Sequence, residues 1–143
     1  MADWVKIPEH RQIYLVDLEQ ITAFIHGRNG RLSFWLPNSA IPIVLTEAGN
    51  PDTYARIAAY TEHLLDSPEP HHWFKLNYDR SIYVVNLARV SSFCYGPGRK
   101  VTFWLPDAGL PVILTPQGNG ADYQAVCDFV KDYTGYVLAA EEG

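Results

Sequence analysis

The residues of this chain that could do chemistry are few: two cysteines, five histidines and scattered carboxylates. His71 and His72 are adjacent, but neighbouring side chains on an extended chain point apart, and no further His, Cys or carboxylate ligands follow at a metal-binding spacing. Cys94 lies inside an apolar run that predicts a strand, and Cys127 lies on the apolar stripe of a predicted helix. Buried thiols in such places are inert. We therefore predict no metal, no cofactor and no catalytic activity.

Aromatic rings beside cations are the other chemically distinctive residues, and their spacing predicts binding. Residues 31–36 and 100–105 both alternate between apolar and polar side chains, as half-buried strands do. In each run a tryptophan shares one side with a cation and a hydroxyl: these residues are Arg31, Ser33 and Trp35, and then Lys100, Thr102 and Trp104. Alternation along the preceding strands assigns Phe24, Phe93 and Tyr95 to the same outer face. A Trp or Phe ring buries roughly 150–250 Å², so we expect something to cover this face.

The elements that must position these rings occur twice. When the sequence is shifted by 69 places, residues 4–65 pair with residues 73–134, and 19 of the 62 pairs are identical, against about four expected by chance. The segment Phe-Trp-Leu-Pro recurs at 34–37 and 103–106. We predict copy one at 1–66, a connector at 67–72 and copy two at 73–143, joined in one compact unit.

Each copy has the pattern of an α+β module. Short apolar runs separated by polar or glycine-containing turns predict an antiparallel β-meander of four or five strands. Pro42 lacks the N–H that a central strand needs, which predicts an edge or the start of a strand. Asn50 followed by Pro51 predicts the N-terminus of an amphipathic helix, and Asn119 does the same in copy two. We predict a tandem pseudo-two-fold duplication of this α+β module.

Composition and charge limit the partners and the location. The formal net charge is −5 and neither copy is basic, which argues against nucleic acid because phosphate binding needs a surplus of cations. The N-terminus lacks a cationic region followed by an apolar core, and no apolar run approaches the roughly 20 residues of a membrane-spanning helix. We expect no membrane insertion and a cytoplasmic location.

Two short segments carry a resemblance to a known family. Residues 16–21, Val-Asp-Leu-Glu-Gln-Ile, and 85–90, Val-Asn-Leu-Ala-Arg-Val, resemble the FlbD-like family of small bacterial proteins, whose pattern is a strand, a Leu-Asn type break and an isoleucine strand. That family is a single short module associated with motility operons, without catalytic residues to carry over. The duplication, the Trp-Leu-Pro motif and the longer hairpins depart from it. The resemblance implies a small cytosolic accessory or adaptor protein serving a surface or motility machine.

These observations favour a non-enzymatic protein–protein interaction or adaptor module of a bacterial cytosolic assembly. The candidate interaction surface comprises Phe24, Arg31, Trp35, Phe93, Tyr95, Lys100 and Trp104. We expect this surface to be covered by the other copy, by a second identical chain or by a protein partner. Two alternatives stay open: binding of single-stranded nucleic acid by stacking on Phe24 and Phe93, and binding of a small ligand in a deep apolar pocket between the copies.

Overall fold

The computed structural model describes residues 3–9, 11–67 and 72–139. Most of the predicted connector, with His71, lies outside these ranges. In copy one the strands are β1 (Trp4–Glu9), β2 (Gln12–Asp17), β3 (Ala23–Gly27), β4 (Arg31–Trp35) and β5 (Pro42–Thr46), followed by helix α1 (Pro51–Leu65). In copy two they are β6 (Trp73–Tyr78), β7 (Ser81–Asn86), β8 (Phe93–Tyr95), β9 (Val101–Trp104) and β10 (Pro111–Leu114), followed by α2 (Gly120–Thr134). The class is α+β.

Within the described residues, the ten strands form three antiparallel sheets whose strand pairing differs from a continuous meander in each copy. The sheets have the orders β1-β2, β5-β4-β3-β7-β6 and β10-β9-β8. Strand β2 does not continue into a pairing with β3, because the 3₁₀ turn Leu18–Gln20, capped by the Asp17 side chain, separates the two. Strand β3 pairs instead with β7 of copy two. The central sheet therefore joins the copies.

Among the described residues, the buried hydrophobic side chains form two clusters, and each cluster contains residues of both copies. The first core includes Phe24, Phe34 and Ile57 of copy one, together with Val84 of copy two. The second core includes Phe103, Leu114 and Val126 of copy two, together with Ala23 of copy one. The exchange follows from the pairing of β3 with β7, because the two faces of these central strands point into different cores.

Both long helices begin where the sequence predicts, but their asparagines act differently from ordinary N-caps. Helix α1 starts at Pro51, directly after Asn50. The Asn50 side-chain oxygen accepts a hydrogen bond from the Thr46 backbone N–H (3.3 Å), so it stabilises the turn that leads into the helix. Asn119 accepts from the Thr115 N–H in the same way (3.0 Å). Neither helix, nor any other within the described ranges, is long and apolar enough to cross a membrane.

The hairpin between β3 and β4 reverses one predicted face. Gly27 lies opposite Arg31, so the loop has three residues, and Asn29 and Gly30 adopt positive φ angles of 63° and 64°. Phe24 therefore lies opposite Phe34 on the inner face of the sheet. The three-residue loop reverses the face that alternation assigns to Phe24, because a shift of one residue in the pairing moves every side chain to the other face.

Candidate interaction surface

The outer face of the sheet β10-β9-β8 is an exposed strip of apolar side chains. Trp104 is 42% exposed and Ile113 of the neighbouring strand is 39% exposed. Cys94 lies opposite Thr102 in the same sheet and is exposed as well. Large apolar side chains side by side on a strand face are a feature of interaction sites, whereas single exposed ones are ordinary. This outer strip, defined by Cys94, Trp104 and Ile113, is the candidate site.

The tryptophan of copy one lies in a different environment from its counterpart. Trp35 is half-buried and lines a small cavity between the copies together with Leu105, Asp107 and Ala108 of copy two. Asp107 accepts hydrogen bonds from the Asn38 N–H (3.1 Å) and from the Thr22 hydroxyl (3.4 Å), which hold the turn after β9 against copy one. The other copy thus covers much of Trp35 and leaves Trp104 open.

Three residues assigned to the outer face from the sequence were assigned wrongly. Phe24 is fully buried in the first core, with its ring centroid 5.6 Å from that of Phe34. Phe93 lies opposite Phe103, and Phe93 and Tyr95 both pack against the second core. The physical reason is again loop length, because the β8–β9 loop, like the β3–β4 loop, has an odd number of residues.

The two predicted cations, Arg31 and Lys100, are both exposed. Arg31 begins β4 on the side that carries Ser33 and Trp35. Lys100 directly precedes β9, which carries Thr102 and Trp104. Each cation thus lies at the opposite end of its strand segment from the tryptophan, whereas the phenylalanines of the predicted surface pack in or against the cores.

Cys94 also differs from the prediction of a buried thiol. Its side chain is exposed, while Cys127 on α2 is partly buried. Burial raises the pKa of the Cys127 thiol, and its hydrogen bond with Tyr123 opposes that shift. Cys94 takes the position of Ile25, which packs against the second core. The two equivalent positions thus have different surroundings in the two copies.

The resolved pKa shifts have one main cause. Burial lowers the pKa of His26 and raises those of Tyr60, Tyr83, Tyr123 and Cys127, with Tyr60 raised to about 12. In every case burial favours the neutral form, as expected when a titratable side chain packs against apolar neighbours. Within residues 3–9, 11–67 and 72–139, no group of three or more His, Cys, Asp or Glu side chains is arranged to hold a metal ion.

An open groove lies on the outer side of α2, and the sequence pattern did not point to it. His72, Phe74, Phe129 and Tyr133 line it, and the Phe129 and Tyr133 rings stack with centroids 5.0 Å apart. In copy one the corresponding place is held by Arg56, which donates to the Trp4 carbonyl (3.1 Å) and pairs with Asp3 (2.6 Å). Ala125 replaces Arg56 in copy two, so the groove remains open.

On the described strands, the large apolar side chains with the highest fractional exposure lie in β1 and β2, and the sequence pattern does not point to them. Trp4, Ile13 and Leu15 are 60%, 61% and 68% exposed, and they share the side of the hairpin that faces away from the first core. Their equivalents in copy two are Trp73, Ile82 and Val84, all packed in or against the first core. The repeat could have pointed to this difference only once the pairing of β3 with β7 was known.

Comparison of the chain with family models, with curated proteins and with solved structures found no match. The FlbD-like resemblance therefore stays a prediction.

Proposed function

We propose that this protein is a non-enzymatic protein–protein interaction or adaptor module, built from a pseudo-two-fold tandem duplication. The observation that carries the proposal is the outer strip, where Trp104 and Ile113 stand exposed on neighbouring strands next to Cys94. Lys100, which is exposed and directly precedes β9, adds a charge of the kind that orients a partner. Exposed tryptophans are enriched in binding hot spots.

The biological setting of the proposal rests on the FlbD-like resemblance. On that ground we place the protein in a bacterial cytosolic assembly accessory to a motility, pilus or other surface machine. Its role there is that of an adaptor, with the outer strip as the docking face.

Burial and cavity size favour this proposal over the two alternatives. Stacking of nucleic-acid bases needs open ring faces, but Phe24 is fully buried and Phe93 packs against the second core. The cavity between the copies beside Trp35 measures about 10 Å³, room for a single water at most. A drug-sized ligand needs a pocket of roughly 300 Å³ or more.

The proposal is tested by removing the exposed ring while leaving the cores intact. Trp104→Ala, alone and with Trp35→Ala, is compared with the wild type by affinity purification from the native cell, mass spectrometry of bound proteins and light scattering. We expect Trp104→Ala to lose a specific set of bound proteins or to change the oligomeric state. Tyr136→Ala is the matched control, since Tyr136 is a large exposed aromatic residue outside the outer strip. Unchanged partners and unchanged mass in the double variant would refute the proposal.

A further inference from the structure

The hairpin β6–β7 is covered on both faces. It is the repeat equivalent of the hairpin β1–β2, so the two can be compared residue by residue. One face carries Leu76, Tyr83 and Val85, which belong to the second core. The other face carries Val84, buried to 2% exposure, and Ile82, both packed in or against the first core. Copy one thus receives a hairpin from copy two along the free edge of β3.

The hairpin β1–β2 has the same design but lacks the second cover. Val5, Ile7 and Val16 pack into the first core. Ile13 and Leu15, which occupy the positions of Ile82 and Val84, point away from it and are exposed. Among the described residues β2 pairs with β1 alone, so one of its edges carries backbone groups without a strand partner. Soluble proteins usually protect such an edge with Lys, Pro or a bulge, and Ile13 and Leu15 offer no such protection.

Strand β8 has a free edge at the place where its repeat equivalent, β3, pairs with a hairpin. It is the equivalent of β3, yet within the described ranges it pairs with β9 alone. Phe93 is only half-buried, whereas its equivalent Phe24 is fully buried beneath β7 and Trp73. Cys94 is exposed at the middle of this edge. One chain therefore carries a free hairpin and a free strand edge whose repeat equivalents bind each other.

These two edges do not meet within the chain, although the copies already contact each other. The Arg89 guanidinium donates to the backbone carbonyls of Glu19 and Gln20, both at 2.9 Å. Asp107 accepts from Asn38 and Thr22 across the same junction. With these contacts in place β2 and β8 remain in separate sheets. A second molecule can supply both missing partners without a change in this arrangement.

We propose that β8 binds strand β2 of a second copy of this chain, antiparallel and in the register of the β3–β7 ladder. That ladder pairs Phe24 with Val84 and Ile25 with Tyr83. Applied to the repeat equivalents, the register places Leu15 of one chain opposite Phe93 of the other, and Tyr14 opposite Cys94. A two-fold axis repeats the contact reciprocally, so both edges are satisfied and the assembly closes as a dimer. The inference rests on the proposed interaction function and names its partner.

The proposal explains three exposed groups at once. Leu15 and Ile13 enter the second core beside Phe93, as Val84 and Ile82 enter the first core beside Phe24. Trp4 gains the neighbours that Trp73 has, whose ring centroid lies 6.1 Å from that of Phe24. Leu138 of the C-terminal segment packs against the second core and lines a groove with Tyr95.

Cross-linking tests the register directly, because Cys94 is already present on the acceptor strand. In a Tyr14→Cys/Cys127→Ala variant, the new thiol lies opposite Cys94 of the second copy. Paired residues of antiparallel strands have Cα atoms about 4.5–5.5 Å apart, within the range of a disulfide. Mild oxidation should give a covalent dimer of about twice 16.2 kDa on a non-reducing gel, reversed by a reductant. A disulfide within one chain, visible as a faster-migrating monomer, would overturn the proposal.

A matched variant controls for random collisions between exposed thiols. Lys6→Cys/Cys127→Ala places the new thiol on β1, where Lys6 lies opposite Leu15 and is one strand further from β8. That extra strand adds about 4.8 Å, which takes the two sulfurs out of bonding range. We expect little dimer from this variant, and equal cross-linking of the two variants would overturn the proposed register.

Light scattering supplies the second readout and separates this inference from the proposed function. Wild-type protein should have a mass of about twice 16.2 kDa, and Leu15→Asp should be monomeric with an unchanged circular dichroism spectrum, since Leu15 is exposed in the single chain. Ile41→Asp, at another exposed branched residue, should remain dimeric. A monomeric wild type overturns the dimer. If Trp104→Ala still removes a protein partner in that case, the interaction function stands and only the dimer fails.

Discussion

The His26 imidazole lies half-buried between β3 and α1, with its Nε2 atom 3.1 Å from Thr61 Oγ1. The Thr61 hydroxyl donates to the Ala58 carbonyl (2.8 Å), so the imidazole Nε2–H is the donor in the contact between the two side chains. Burial lowers the pKa of His26; the Glu62 carboxylate opposes this shift and the Lys75 ammonium adds to it. The folded protein therefore favours the neutral imidazole more than the unfolded chain does.

This shift predicts a pH dependence of stability with a definite sign. Between the folded pKa of His26 and the unfolded value of about 6.5, the unfolded chain binds more protons, so the free energy of unfolding falls as the pH falls through that window. His26→Gln should remove this contribution, as measured by denaturant unfolding between pH 5 and pH 8. Gln117→Ala, a change at an exposed position without a titratable group, is the control and should keep the wild-type slope. Identical slopes for His26→Gln and the wild type would contradict the assignment.

Residue types predicted part of the candidate site. Strand alternation alone assigns Trp104, Arg31 and Lys100 to the outer face, and all three side chains are exposed in the single chain. Phe24 was misplaced because alternation gives two faces but does not say which one is buried when both carry apolar residues. That choice depends on the number of loop residues between Gly27 and Arg31. The Asn-Gly pair predicts a turn here but does not distinguish loop lengths that differ by one residue.

At the scale of elements, the 3₁₀ turns Leu18–Gln20 and Leu87–Arg89 form the joint between the copies. Arg89 of the second turn donates to two carbonyls of the first, those of Glu19 and Gln20. Both turns have a side-chain cap: the Asp17 carboxylate accepts a hydrogen bond from the Glu19 N–H, and the Asn86 side-chain oxygen accepts one from the Ala88 N–H, each at 3.1 Å. The chain changes sheet at each of these turns, which is why β3 is available to β7.

Arg89→Ala should therefore lower the free energy of unfolding. The loss is expected at about 1–2 kcal/mol, since two charge-assisted hydrogen bonds disappear but the guanidinium is exposed to solvent. Arg89→Lys should recover about half, because an ammonium lacks the two-pronged geometry of a guanidinium. Urea unfolding measures both, with Arg28→Ala as an exposed-arginine control. An Arg89→Ala variant as stable as that control would show that these hydrogen bonds do not contribute to the free energy of unfolding.

The sequence predicted the elements better than their pairing. Pro51 and Asn50 located the start of α1, and Pro42 begins β5 at the edge of the central sheet, as expected for a residue without an N–H. Nothing in the sequence distinguishes a pairing of β3 with β2 from a pairing with β7, because residues 12–17 and 81–86 have nearly the same pattern. Such long-range choices are settled by packing and by turn direction, not by local propensity.

At the scale of the whole molecule, the copies share their cores instead of packing as separate domains. Val84 of copy two lies in the first core and Ala23 of copy one lies in the second. Neither core is complete without the other copy. The chain should therefore behave as one cooperative unit in spite of its internal repeat.

Val84→Ala tests this sharing. We expect a loss of about 1–3 kcal/mol in the free energy of unfolding and a single thermal transition shifted as a whole, because a buried methyl-bearing side chain is shortened. Val137→Ala, at an exposed valine, should leave stability within about 0.5 kcal/mol of the wild type. A shared core would be contradicted if calorimetry resolved two thermal transitions and Val84→Ala lowered the midpoint temperature of only one of them.

The exposed outer strip and the free edges of β2 and β8 have one origin: the two copies differ in which of their surfaces are covered. Copy one is covered by copy two, whereas the equivalent surfaces of copy two and the β1–β2 hairpin remain bare within the described chain. This explains why Trp35 and Trp104, identical in their motif, differ in exposure. Trp35 lies at the junction of the copies, whereas Trp104 is exposed in the single chain, where we propose that a partner covers it.

Alkylation of Cys94 at increasing protein concentration tests the central claim most directly. In a Cys127→Ala background, Cys94 is the single thiol and lies at the middle of the β8 edge. If a second chain covers that edge, the alkylation rate of Cys94 should fall as the protein is concentrated, and Leu15→Asp should restore the rate measured at high dilution. A rate that stays constant from dilute to concentrated protein would contradict the account.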